Sequence, residues 1–202
     1  RPMQDQIDIE IDHHTSQSHV TVFNTYRYSL YCRFLITEKL GSRFLARFEP
    51  FRGDWAVSME ALRALEQLEP ASLGQHADTL VASLEDPNFS VRWQALQILG
   101  NLEPATLAQH AVAVVARLED SDEDVRETAL NALGKLDPVR FAKYADFVIA
   151  MLDDGEMYAR LAAKNTLRSA LPHAVTRGVN LDSGVTGRSQ LRARLRWYRH
   201  GL

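Results

Sequence analysis

The residues of this chain best suited to chemistry are its histidines, a set of evenly spaced Asp and Arg pairs, and an arginine-rich terminus. His13, His14 and His19 cluster near the start and could ligate a metal, but they have no Cys partner nearby and sit in a polar stretch. His76 and His110 look like a matched pair until the same position one step later proves to be Tyr144, which would not preserve a ligand role. Asp86 and Arg92, Asp120 and Arg126, and Asp154 and Arg160 each lie six residues apart. A carboxylate beside a cation can serve acid–base catalysis, yet a pair repeated at fixed intervals suits a salt-bridge ladder, within or between repeats, that orders a turn. Asn88-Phe89-Ser90 fits a glycosylation sequon but falls in an expected tight turn, and reads as coincidence. No Gly-rich phosphate loop, paired-carboxylate cleft or Ser-His-Asp set is recognisable. The expectation is therefore no catalytic residue, no cofactor, no metal and no small-molecule substrate.

What positions the pairs is a 34-residue unit read three times, from Leu68, Leu102 and Leu136. A fixed period of this length marks a stacked array whose members each need a neighbour to cover an apolar face. In the first half of each unit, Leu73, Ala77, Leu80, Val81 and Leu84 become Leu107, Ala111, Val114, Val115 and Leu118, then Phe141, Ala145, Val148, Ile149 and Leu152. Steps of three and four residues place each set on one helical stripe. Val91, Ala95, Ile98 and Leu99 do the same in the second half, followed by Val125, Ala129, Ala132 and Leu133, so each unit reads helix, turn, helix.

The punctuation agrees. Pro70, Pro104 and Pro138 stand where a first helical turn tolerates proline, with Asp137 a good N-cap and Glu69 and Glu103 weaker ones. The turns Asp86-Pro87-Asn88, Asp120-Ser121-Asp122 and Asp153-Asp154-Gly155 use residues that bond their own backbone. Gly100 and Gly134 fall where a glycine can relieve a helix end.

An Asp in the turn, followed six residues later by Arg inside a Val-Arg-x-x-Ala-Leu-x-x-Leu-Gly helix, resembles the HEAT-repeat family, particularly the short HEAT-like units of phycobiliprotein lyase-type arrays. The third unit keeps Asp154 and Arg160 but has Ala159, Lys164 and Arg168 for Val, Leu and Gly, which makes it look like an end cap. The resemblance implies an all-α, short right-handed α-solenoid. Val57, Ala61, Leu62 and Leu65 fall one period before Val91, Ala95, Leu96 and Leu99, so a second helix exists upstream, its partner expected in a degenerate cap between Thr37 and Phe48. Residues 37–172 thus form the array, with appendages on either side.

Residues 1–36 lack the period; Ile7, Ile9 and Ile11 alternate with Asp8, Glu10 and Asp12 in the manner of a strand, and predict an extended arm lying on a partner or on the array's flank. Residues 173–202 read as a linker, Gly178 to Gly187, and a basic amphipathic helix. In it Arg188, Arg192, Arg194, Arg196, Trp197 and Arg199 would contact a partner: an acidic protein groove, an anionic lipid headgroup or RNA. The net charge of −3 divides unevenly, with balances of 0 over residues 1–56, −8 over 57–172 and +5 over 173–202. A single cysteine excludes an internal disulfide and fits a reducing compartment, and no apolar run is long enough to span a membrane.

Together these features predict a non-catalytic scaffold or adaptor, an accessory subunit bound to other subunits of a larger multiprotein complex. The HEAT resemblance extends to arrays common in unicellular algae and protists, and with Arg1 at the first position it implies an organellar setting, mitochondrial before plastid, soluble or peripheral to a membrane. The same resemblance implies a second reading, a phycobilin lyase-like protein, although no chromophore cradle is evident. Binding of RNA or an anionic membrane surface through the tail is a third.

Overall fold

The computed structural model describes residues 55–200, and every regular element among them is a helix. Helix α1 (Trp55–Glu66) is the upstream second helix that the register predicts. Its proposed partner at 37–48, the arm at 1–36 and His13, His14 and His19 lie outside the described residues. The first full unit comprises α2 (Pro70–Leu73), a 3-10 turn at Gly74–His76, α3 (Ala77–Ser83) and α4 (Phe89–Leu99). The second comprises α5 (Pro104–Gln109), α6 (Ala111–Ala116), a 3-10 turn at Arg117–Glu119 and α7 (Glu123–Leu133). The third comprises an unbroken α8 (Pro138–Ala150), a 3-10 turn at Met151–Asp153 and α9 (Met157–Ala170). The single first helix expected in each unit is thus interrupted in units one and two, at or just before His76 and His110, and continuous only in unit three.

Each first helix packs on its own second helix, and the second helices α1, α4, α7 and α9 lie side by side in chain order. The apolar columns of the repeat become the core: Leu73, Leu107 and Phe141 are buried, as are Val91, Val125 and Ala159. Burying one such large side chain is worth about 1.5–3 kcal/mol, and much of that burial is against the adjoining unit, so no unit is complete alone.

The helix starts follow the residues. Asn88 accepts a hydrogen bond from Ser90 N–H, Asp122 from Asp124 and Val125 N–H, and Asp137 from Arg140 N–H, whereas Glu103 makes no side-chain cap. Gly100 and Gly134 do not take the left-handed conformation of a glycine cap; both stay right-handed helical at the ends of α4 and α7.

After α9 the repeat begins a fourth time and stops. Pro172 and Val175 continue the columns of Pro138 and Phe141, and Val175 is buried in the short helix α10 (His173–Thr176). The chain then turns away at Gly178, whose φ of 70° suits glycine and strains other residues. Helix α11 (Val185–His200) runs back over α8 in the opposite direction, pairing Arg188 with Asp153 near one end and Arg199 with Ala142 near the other. Its start presses on the preceding loop at Gly187, where a Cβ would stand 1.9 Å from the Asn180 carbonyl oxygen. The sequence set residues 173–202 apart as linker and tail; Val175, Leu181, Leu191 and Leu195 are buried in the same core as the repeats.

Candidate interaction site

Arg92 lies on α4 and points along the array toward the turn before α7. Its Nε and Nη2 donate to the two carboxylate oxygens of Asp120 at 2.8 and 2.7 Å, while Nη1 donates to the carbonyls of Asp86 and Pro87 in its own turn at 2.9 and 3.1 Å. Arg126 repeats this one unit on, with Nε and Nη2 on Asp154 at 2.9 and 3.0 Å and Nη1 on the carbonyls of Asp120 and Ser121. The rungs therefore run between units, and the Arg six residues after each Asp holds that Asp's backbone instead of its carboxylate. The carboxylates also shape their own turns, Asp86 accepting from Asn88 N–H, Asp120 from Asp122 N–H and Asp154 from Glu156 N–H. Forked, charge-assisted pairs of this kind fix orientation as well as adding energy.

Burial by itself would raise the Asp120 and Asp154 carboxyls, but the arginine hydrogen bonds, the turn N–H and the adjacent positive charge outweigh it and hold both below the ordinary carboxylate range. The Asp120 hydrogen bond raises Arg92 in turn, and Asp154 does the same for Arg126.

The ladder has two unlike ends. At the first, Ser58 stands in the arginine position and reaches Asp86 at only 3.4 Å. At the last, Arg160 holds the carbonyls of Asp154 and Gly155 through Nη1 at 2.7 and 2.8 Å, as its forerunners do, but Nε and Nη2 make no hydrogen bond among the described residues. The position that would supply the next carboxylate is Arg188.

Four of the five arginines of α11 contact groups of the same chain at its surface. Arg188 pairs with Asp153, Arg192 approaches Asp146 at 3.8 Å, and Arg199 donates to the Ala142 carbonyl and to Asp146 at 2.7 and 2.8 Å. Arg194 donates to the carbonyls of Val175 and Arg177 that end α10. Arg196 and Trp197 face outward, Trp197 being 75% exposed. The sequence reading missed the acceptors Asp146 and Asp153 on and after α8. It also missed Arg117, which ties unit two to unit one through the Leu84 carbonyl and Glu85. Arg117 was detectable as a lone cation in a column otherwise filled by Ser83 and Met151.

Among the described residues no second helix covers the outer face of α9. Met157 and Leu161 on it are 58% and 48% exposed, and Arg160, Lys164 and Arg168 fall on the same stripe. One unit earlier the matching face of α7 carries Arg126 and Leu130, both covered by α9; Leu130 is fully buried and its carbonyl receives the Thr166 hydroxyl. Lys164 instead pairs with Asp182 in the loop before α11.

The hollow between α4 and α7, lined by Leu96, Gln97, Thr128, Asn131 and Lys135, holds about 70 Å³, against the several hundred that an organic ligand needs. His76 and His110 sit at the breaks of the first helices, with His76 lowered from the ordinary imidazole value by burial. Among the described residues no three His, Cys, Asp or Glu side chains come together as a metal site, and no helix is long and apolar enough to cross a membrane.

A scan against protein-family models matches residues 77–168 to HEAT repeats. A search of curated proteins finds no match.

Proposed function

With residues 77–168 established as HEAT repeats, a helical scaffold for protein interactions, we propose that the chain is a non-catalytic adaptor, an accessory subunit held within a larger multiprotein assembly. The observation that carries this reading is the outer face of α9, on which no further second helix stacks among the described residues and where Met157 and Leu161 are 58% and 48% exposed beside Arg160, Lys164 and Arg168. Large apolar side chains gathered on an otherwise well-packed element mark a surface that another protein covers. An organellar assembly, mitochondrial or associated with a membrane surface, is the setting we favour, and it rests on the sequence resemblance alone.

Size-exclusion chromatography and cross-linking of the native extract test the reading. An accessory subunit migrates far above 22.8 kDa and cross-links to defined partners. A chain that migrates as a free monomer without cross-links ends it. For the tail, binding of RNA or anionic vesicles that is unchanged after removal of residues 187–202 rejects a surface-binding role for Arg196 and Trp197.

A further inference from the structure

We propose that the outer face of α9 docks the acidic start of a partner protein's helix, an Asp-bearing turn whose carboxylate takes the vacant edge of Arg160 and so adds one more rung to the ladder. The proposal deepens the scaffold reading and rests on it.

The molecule shows twice what fits such a face. Behind Arg92 and again behind Arg126, the element that stacks next opens with a turn whose Asp accepts the guanidinium edge and whose own backbone that Asp orders. Arg160 is held in the same way by the two carbonyls of its own turn, so its free edge is preset instead of being a wandering surface cation. Preorganisation of this sort removes much of the cost of ordering a long side chain on binding.

The rest of the face says how the occupant must differ from an internal unit. Where α4 and α7 offer Leu96 and Leu130 to their neighbours, α9 offers Lys164, with Arg168 one turn beyond. Beside them Met157 and Leu161 provide apolar area. A matching helix therefore carries Asp in its opening turn, a small apolar patch and further carboxylates along the same side, one of which would compete with Asp182 for Lys164.

The probe is a synthetic peptide copying residues 118–135, which contains a rung-forming turn and five further acidic residues. It is titrated into the full-length chain and followed by NMR of methionine methyls and arginine side chains. The expected result is binding at or below about 1 mM, with shifts concentrated on Met157 and the Arg160 Nε–H. Arg160→Ala weakens it about ten-fold, Arg160→Lys weakens it nearly as much because the fork is lost, and Asp120→Asn in the peptide has no added effect once Arg160 is gone. Absence of binding, shifts confined to α8 or α11, or indifference to both substitutions overturns the proposal. So does self-association of the chain that Arg160→Ala abolishes, since the occupant is then a second copy. If the peptide fails while the chain still co-migrates with cellular partners, the scaffold reading stands and only this face is removed from it.

Discussion

The two layers of the array end in opposite ways. The first-helix layer is closed: α11 lies across α8, buries Leu191 and Leu195 completely and turns four of its arginines onto carboxylates and carbonyls of the same chain. Among the described residues the second-helix layer is open at α9, whose outer face keeps a preset guanidinium edge, Lys164 paired only with Asp182 of the following loop, Arg168, and exposed Met157 and Leu161. Both ends are rich in Arg, and the residue type alone does not separate them. What separates them is the supply of acceptors, since Asp146 and Asp153 stand opposite α11 while no described carboxylate stands opposite Nε and Nη2 of Arg160. A stacked array must protect its terminal units, and this one protects one layer with its own chain.

The largest test of the contrast is Leu195→Ala. If α11 is part of the core, the truncation costs about 3–4 kcal/mol in urea unfolding; if it is an appended tail, the midpoint does not move. Next comes Arg92→Ala, which leaves the nearly buried Asp120 carboxylate with only Arg117 at 4.0 Å and the Asp122 N–H, and costs about 3 kcal/mol. Arg160→Ala, which strands no described carboxylate, costs at most about 1.5 kcal/mol in the isolated chain. Equal losses at the two positions would dissolve the distinction between an internal rung and a vacant one.

Acidity probes the same rungs from the carboxylate side. Asp120 and Asp154 sit lower in the fold than the roughly 3.9 of an unfolded chain. Their contribution is therefore fully present above that value and is lost as pH falls through the native values. Thermal melting between pH 6 and 2.5 should show this loss at the acid end, and Asp120→Asn should flatten it. The smallest effect belongs to Leu161→Glu, expected to change stability by no more than about 0.5 kcal/mol, measured by the same melts, because the side chain is half exposed. A large loss there would mean that the face is already covered.

Helix pairs were legible because columns such as Leu73, Leu107 and Phe141 repeat at one spacing and are all buried. The ladder was legible as a set of residues but not as a set of partners. Arg92 follows Asp86 by six residues and precedes Asp120 by 28, and only the stacking of α7 on α4 places the second carboxylate at the guanidinium fork. The reversal at the end was hidden for another reason: an apolar stripe beside an arginine stripe suits any acidic surface, and nothing local says that the surface is α8. A clue did exist in Pro172 and Val175, which keep the period past the last full unit. The arm at 1–36 has no such periodic anchor.

The rungs all lie along the edge where the turns within units gather. Toward the opposite edge, where one unit passes to the next, the units are joined by single hydrogen bonds and not by forks: Gln94 to Glu66 at 3.1 Å, Lys135 to Asn101 at 3.3 Å and the Thr166 hydroxyl to the Leu130 carbonyl at 3.2 Å. An array stitched on one side and loosely joined on the other should bend like a book about its spine, the Arg–Asp edge keeping its spacing while the other opens and closes. Its compliance is then directional, and a binding partner could alter the curvature by gripping the looser margin without breaking a single guanidinium fork.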